Sequence, residues 1–275
     1  MLYSELFAAH LEQLQPGELS TAVEVLIEKA FAISRTQFWI RKNQPVRDAA
    51  GVRRFRRYFA RLQAQEPLAY ILKEKEFFGE PFIVSPAVLI PRPETELLVE
   101  KALVLLGKKP ARVLDIGAGS GCISIVVALK SSASVTALEA SGPALRVLKK
   151  NIARFGLLEK VIPLHGDIFP KKNGLFDLIA ANPPYLSEKE WRGLPPGIRR
   201  FEPRSALVAG RTGTEMLEKI IAGAAGHLRP GAHLLLEIGH GQLRAARVFL
   251  KRSGLQEMEL VRDYGGIARV IVACR

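Results

Sequence analysis

Val113-Leu114-Asp115-Ile116, running straight into Gly117-Ala118-Gly119-Ser120-Gly121, is the stretch whose reading decides the fold. A short, mostly apolar run ends in a glycine-rich turn, and helical sequence resumes at once. That is the pattern of a buried strand whose C-terminal end opens into a helix N-terminus. Glycines are needed where backbone must turn tightly and lie against a ligand. A dinucleotide site would want G-x-G-x-x-G, but Cys122 stands in the last place and the third glycine arrives one residue early. The resulting G-x-G-x-G argues against NAD and for a ligand without a pyrophosphate. S-adenosylmethionine fits that description.

Outward from the loop, strand-like and helical stretches alternate. Strands are expected at 112–116, 134–139, 161–165, 175–181, 232–238, 256–262 and 268–273. Such alternation gives a mostly parallel sheet with helices on both faces. Asp263-Tyr264-Gly265-Gly266 is too short for a crossover, so the final strand should be antiparallel to its partner. The fold class is α/β: a Rossmann-like, seven-stranded domain.

Upstream the period is helical. Leu2, Leu6, Ala9 and Leu14 fall near helical spacing. Ser20 or Thr21 is placed to cap a second helix with Val23, Leu26, Ile27 and Ala30 on one face. A third helix is expected at 48–65, with Phe55, Phe59 and Leu62 on one face and Arg53, Arg57 and Arg61 on the other. Residues 76–90 read as a β-hairpin: Phe77-Phe78, a Gly79-Glu80-Pro81 turn, then Phe82-Ile83-Val84. Pro91-Arg92-Pro93 is stiff and extended, and a helix follows from 94 to about 106. The expected organisation is a small all-α domain over 1–73, a hairpin linker over 74–90 and the α/β domain over 91–275.

Composition narrows the class. Hydrophobic residues make up 48% and charged residues 24% of the 275, a globular balance rather than a disordered one. The formal net charge of +13 suits an anionic partner, such as RNA or an acidic protein face, or a basic surface that meets only water. Cys122 and Cys274 make neither a metal spacing nor a disulfide framework, and the histidines are scattered. A reducing, cytoplasmic setting and no metal are expected. No apolar run approaches the ~20 residues a membrane-spanning helix needs. Nothing in the sequence demands more than a monomer.

Two further segments carry chemistry. Glu139 ends the second strand of the α/β domain, where an acidic residue accepts hydrogen bonds from two ribose hydroxyls. Asp167-Ile168 follows the third, where Asp167 is placed to accept from an adenine amino group and Ile168 to pack on the ring. Asn182-Pro183-Pro184-Tyr185 follows the apolar run 176–181. An amide or exocyclic nitrogen is a poor nucleophile because its lone pair is delocalised. Two acceptors drawing on its N–H groups pull it towards a pyramidal geometry. The Asn182 side-chain oxygen and the Pro183 carbonyl supply them, and proline fixes the loop so that the carbonyl points inward. Tyr185 offers a flat face to a planar group. The tetrapeptide selects planar nitrogens as a class: glutamine amide, adenine amino or guanine amino.

The order of LDIGAGSGCISIVVAL at 114–129, NPPY at 182–185 and EPLAYILKEKEFFGEPFIVSPAVLIPRPETELLVE at 66–100 resembles the HemK/PrmC family of protein-(glutamine-N5) methyltransferases. The resemblance implies an N-terminal domain that docks a class I peptide chain release factor and a seven-stranded class I methyltransferase domain. It implies S-adenosyl-L-methionine as methyl donor, S-adenosyl-L-homocysteine as product, and the glutamine of the release factor's GGQ loop as acceptor. Carried onto this sequence, cofactor contacts fall at Gly117, Ala118, Gly119, Ser120, Gly121, Glu139, Asp167, Ile168 and Asn182. Substrate contacts fall at Asn182, Pro183, Pro184 and Tyr185, with Arg92 and Glu94 close by. There are departures. Ala118 stands where many relatives have threonine, Glu139 where aspartate is common, and Ile168 where an aromatic often packs on adenine. The rival readings are a DNA or RNA amino-group methyltransferase, towards which Arg53, Arg57 and Arg61 lean as a weak RNA contact, and a non-catalytic cofactor-binding protein. An intact Asn182 argues against the second.

Overall fold

Helical periodicity before about residue 73 and strand–helix alternation after it separate, in the computed structural model, into two compact units. The structure describes residues 1–13, 20–171 and 174–275. The first unit is Met1–Lys73 together with Pro196–Phe201; the second is Glu74–Pro195 with Glu202–Arg275.

The first unit holds α1 (Tyr3–Leu11), α2 (Ser20–Phe31), α3 (Arg35–Arg41), α4 (Ala49–Gln63) and α5 (Leu68–Leu72). Leu14 and the Ser20 side chain lie outside the described residues. Val23, Leu26, Ile27, Phe55 and Phe59 bury into one core. The helix expected at 48–65 is α4, and its N-cap is Asp48, whose carboxylate accepts from the Gly51 N–H at 2.8 Å. Arg53 and Arg57 are exposed on its outer face. Arg61 is not available there, because its guanidinium donates to Glu66 at 2.7 and 2.5 Å. The reading of periodicity passed over α3, although Ser34 and Gln37 form a capping box that the sequence spells out.

In the second unit, β1 (Glu74–Phe77) and β2 (Glu80–Ile83) form the hairpin. Its turn is Phe78-Gly79, with φ of 55° and 76°, and not Gly79-Glu80-Pro81. Two successive positive φ values match the twist of paired strands. Pro81 then sits within the ladder opposite Glu76, a position open to proline in a two-stranded ribbon. Phe77 and Phe82 are buried in the same core as α6 (Glu94–Leu106), so the hairpin is part of this unit's interior.

The remaining elements follow as β3 (Arg112–Ile116), α7 (Cys122–Lys130), β4 (Ser134–Glu139), α8 (Gly142–Arg154), β5 (Val161–His165) and β6 (Phe176–Ala181). After them come β7 (Leu186–Ser187), α9 (Glu188–Arg192), α10 (Pro196–Phe201, part of the first unit), β8 (Val208–Gly210), α11 (Glu215–His227), β9 (Leu228–Glu237), α12 (Leu243–Arg252), β10 (Gln256–Arg262) and β11 (Ala268–Cys274). Among the described residues, seven strands form one sheet in the order β10-β11-β9-β6-β3-β4-β5. β11 is antiparallel to both β9 and β10, and the rest are parallel. The short Asp263–Gly266 connection requires that reversal. One apolar cluster covers each face of the sheet. The strand order reverses at β3, between β4 and β6, and this is where open α/β sheets leave a crevice at their C-terminal ends.

Candidate active site

A cavity of about 370 Å3 occupies that crevice. Its wall includes Gly117, Ala118, Gly119, Ser120 and Glu139 on one side and Asn182, Pro183 and Pro184 on the other. Asp167, Ile168 and Arg92 also line it. Gly121, Tyr185 and Glu94 are not among the lining residues.

The glycine loop is tied to the sheet by its own backbone. The N–H groups of Gly117 and Ala118 both donate to the Leu138 carbonyl, at 2.9 and 3.0 Å. Gly119 has a φ of 56°, and a Cβ built on it meets nothing closer than 3.8 Å. Its glycine is required by conformation, and its open side adjoins the cavity. Gly121 differs: at φ of 84° a Cβ would come within 2.5 Å of Leu148. It is kept for packing between α7 and α8. Asn151, fully buried on α8, accepts from the Ile83 N–H at 2.8 Å and donates to the carbonyls of Ile83 and Ser120 at 3.0 and 2.8 Å. One side chain thus fastens both the hairpin and the loop.

Glu139 is 8% exposed. Its two oxygens accept from the N–H groups of Gly119 and Ser141, at 2.8 and 2.7 Å. Each oxygen retains a lone pair for a second donor. A left-handed glycine backbone open to the cavity, a carboxylate able to accept from two hydroxyls, and an apolar wall at Ile168 together fit S-adenosylmethionine.

Beneath the loop, Asp115 is fully buried. Burial pushes its carboxyl up to about 7, against the pull of hydrogen bonds from the Ser124 hydroxyl and N–H; the charge of Glu139 adds to the rise. Only Oδ2 receives those bonds, and Oδ1 has no partner among the described residues. Burial likewise pushes the Cys122 thiol up to about 12, so it is no nucleophile.

At the far wall, β6 ends in Ala181 and delivers Asn182 to the cavity. The Asn182 amide nitrogen donates to Thr95 Oγ1 at 2.9 Å, and that hydroxyl donates to Glu237 Oε2 at 2.7 Å. Thr95 and Glu237 are 2% and 3% exposed. Burial raises the Glu237 carboxyl to about 7; Glu94 adds to this, while hydrogen bonds from Thr95 and Asn182 and the charge of Arg269 oppose it. The Tyr185 ring packs against Gly239, and its carbonyl accepts from Gln242 Nε2 at 3.0 Å. Burial also raises the Tyr185 hydroxyl above its ordinary range. Arg92 is paired through one guanidinium nitrogen with both oxygens of the buried Glu202, at 2.6 and 2.7 Å. Glu94 reaches Arg269 only at 4.0 Å.

Sequence reading alone did not single out Thr95, Glu237, Asn151 or Gln242 as parts of the site. Thr95 sits inside the PRPETE segment and Glu237 at the end of a strand, but nothing local pairs residues so distant in the chain.

A seven-stranded sheet with its reversed last strand, a G-x-G-x-G loop after β3 and an acidic residue ending β4 define a class I S-adenosylmethionine-dependent methyltransferase. Comparison with known proteins carries this further. The PrmC N-terminal domain family matches residues 5–72, and the Methyltransferase small domain family matches residues 93–193. A release factor glutamine methyltransferase of Nitratidesulfovibrio vulgaris is 43% identical over 96% of this chain and 92% of its own length. That of Bordetella pertussis is 40% identical, over 93% of this chain and 94% of its own. Among solved structures, a methyltransferase from Pyrococcus furiosus shares the fold with a TM-score of 0.54 at 20% identity, covering 78% of this chain and 96% of that one. The chain belongs to the release factor glutamine methyltransferase family.

Proposed function

We propose that the protein methylates the side-chain amide nitrogen, N5, of the glutamine in the GGQ motif of class I peptide chain release factors. The observation that carries the reading is that one cavity is lined by the Gly117–Ser120 loop and Glu139 on one side and by Asn182 and Pro183 on the other. When bound, S-adenosylmethionine supplies an electrophilic methyl group on a sulfonium sulfur. Gly117, Ala118, Gly119, Ser120, Glu139, Asp167 and Ile168 are the residues that would hold it. Asn182 Oδ1 and the Pro183 carbonyl accept the two N–H groups of the glutamine amide and fix its plane. Drawing on both N–H groups returns lone-pair density to nitrogen and aims it into the cavity. The work is done by positioning and by acceptors placed in advance.

The substrate's finer identity rests on the family. Release factor loops reach the cavity in this reading past Pro183 and Pro184. Arg92 lines the cavity and holds Glu202 through one guanidinium nitrogen, which leaves its other N–H groups free to meet the substrate. The chain acts as a cytoplasmic monomer, and Arg53 and Arg57 form a solvated face. No helix among the described residues is long and apolar enough to cross a membrane.

The test is methyl transfer from radiolabelled S-adenosylmethionine to a purified release factor, with a GGQ-to-GGA variant, tRNA, rRNA and DNA as parallel acceptors. Label on the wild-type factor alone is expected. Label on nucleic acid would instead assign the same tetrapeptide to a base amino group. Asn182→Ala should abolish transfer while S-adenosylmethionine affinity, read by calorimetry, stays largely in place.

A further inference from the structure

An asparagine amide is nearly symmetric in shape and can face a substrate with either end. Only Oδ1 serves as an acceptor; Nδ2 facing the cavity would set donors against the N–H groups of the incoming amide. Something must choose between the two orientations. The buried series Asn182 Nδ2 to Thr95 Oγ1 to Glu237 Oε2, at 2.9 and 2.7 Å, contains the means. A threonine hydroxyl has one proton and two lone pairs. A carboxylate has no proton to offer, so Thr95 must donate to Glu237. Having spent its proton there, Thr95 can only accept from Asn182. The amide nitrogen is thereby drawn to Thr95, with the Glu237 carboxylate itself a second acceptor for it, and the oxygen is left for the substrate.

We propose that Glu237 and Thr95 are positioning residues that set the sense of the Asn182 amide, acting as a polarity relay from a buried carboxylate to the substrate-binding oxygen. The proposal rests on Asn182 being the acceptor in the reading above. Reversal follows if Glu237 gains a proton: its O–H donates to Thr95, the Thr95 hydroxyl turns to Asn182 Oδ1, and the amide flips. The other titratable groups bearing on Glu237 are Glu94 at the start of α6, Arg269 on β11, Tyr185 beyond Asn182, and Cys122 at the start of α7. Arg269 donates to Asp263 at 2.7 Å and, as a guanidinium, stays charged across this pH range. Thr95 and Glu237 are 142 residues apart in the chain, and they meet only because α6 begins against the end of β9.

The experiment compares Glu237→Gln, Thr95→Val, Thr95→Ser and Asn182→Ala on the full chain. Calorimetry measures S-adenosylmethionine affinity, thermal melting checks folding, and methyl transfer to a release factor is followed from acid to alkaline pH. Glutamine at 237 offers a donor as well as an acceptor, so it permits both senses. Glu237→Gln should lower kcat about tenfold or more, with S-adenosylmethionine affinity and the release factor KM within about twofold. It should also remove the acid limb of the wild-type kcat profile. A difference-infrared band of a protonated carboxyl should appear in wild type as pH falls and be missing in Glu237→Gln. Thr95→Val should lose kcat as Glu237→Gln does, and Thr95→Ser should restore it to within about threefold, because only the hydroxyl matters. Wild-type kcat and an unchanged acid limb in Glu237→Gln would overturn the relay. If that variant does not fold, equal activity of Thr95→Val and Thr95→Ser overturns it. An active Asn182→Ala would sink the reading beneath it, whereas an inactive Asn182→Ala beside a fully active Glu237→Gln sinks the relay alone.

Discussion

Replacing Asn151 with alanine removes one side chain and strands three backbone groups. The Ile83 N–H loses its acceptor, and the carbonyls of Ile83 and Ser120 lose a shared donor; the Ser120 bond is buried and the two to Ile83 are partly buried. A buried polar group left unpaired costs about 1–3 kcal/mol. The space vacated by an amide is large enough to admit a water, which recovers part of that cost. A loss of about 3 kcal/mol from the second unit is therefore expected. The sequence has two tryptophans, Trp39 in the first unit and Trp191 in the second, so a Trp39→Phe background leaves Trp191 as reporter for urea unfolding. Because Ser120 belongs to the glycine loop, S-adenosylmethionine affinity should weaken as well, by about tenfold, or 1.4 kcal/mol. A stability loss below about 1 kcal/mol with unchanged affinity would refute the claim that one amide fastens hairpin and loop.

Three other perturbations follow from the same geometry. Glu139→Gln should weaken S-adenosylmethionine binding by about 1–3 kcal/mol, as much as Glu139→Ala, because a glutamine must turn its NH2 towards the N–H of either Gly119 or Ser141; calorimetry showing near-wild-type affinity for the glutamine variant would count against it. Gly121→Ala should destabilise the second unit by about 2 kcal/mol or more, from positive φ plus the approach to Leu148, and a melting temperature equal to wild type would exclude this. Asp115 sits at about 7 in the folded chain against 3.8 when exposed, so the native state keeps a proton that the unfolded chain releases. Its contribution to stability accordingly falls as pH rises from about 4 to about 7 and is level above that. Asp115→Asn should be most stabilising, relative to wild type, near and above pH 7; a difference independent of pH would show that burial does not hold the proton.

Strand positions were readable because each is an apolar run bounded by turn residues, and the observed β3, β4, β5 and β10 match the expected ranges. β9 starts earlier than expected, at Leu228, since Pro230 and Gly231 signal a break that the extended ladder absorbs. The Phe78-Gly79 turn was hidden by a proline. Pro81 looks like a turn residue, but pairing places it opposite Glu76, and the positive φ falls on a phenylalanine that no local rule favours. Of the candidate site, Gly117, Glu139 and Asn182 were legible because each sits at or just beyond the end of a strand, where topology brings strand ends together. Thr95, Glu237 and Gln242 were not, since their roles lie in hydrogen bonds across the fold. The Tyr185 ring also lies beside Gly239, a contact across the fold that the sequence does not spell out.

The order β10-β11-β9 also bears on how quickly the sheet assembles. Among the described residues β10 pairs in the sheet with β11 alone, so it joins once β11 has occupied the slot beside β9. The pair is local: Asp263 Oδ1 accepts from the N–H groups of Gly265 and Ile267, both at 2.9 Å, and closes the turn. A hairpin of this kind forms in roughly 1–10 μs, far sooner than parallel strands separated by whole helices. The last hairpin then docks as a preformed piece onto β9. Val272→Ala, buried on β11, should accelerate unfolding and leave the refolding rate nearly unchanged in stopped-flow experiments, and a refolding rate that falls with stability would place the hairpin in the nucleus instead.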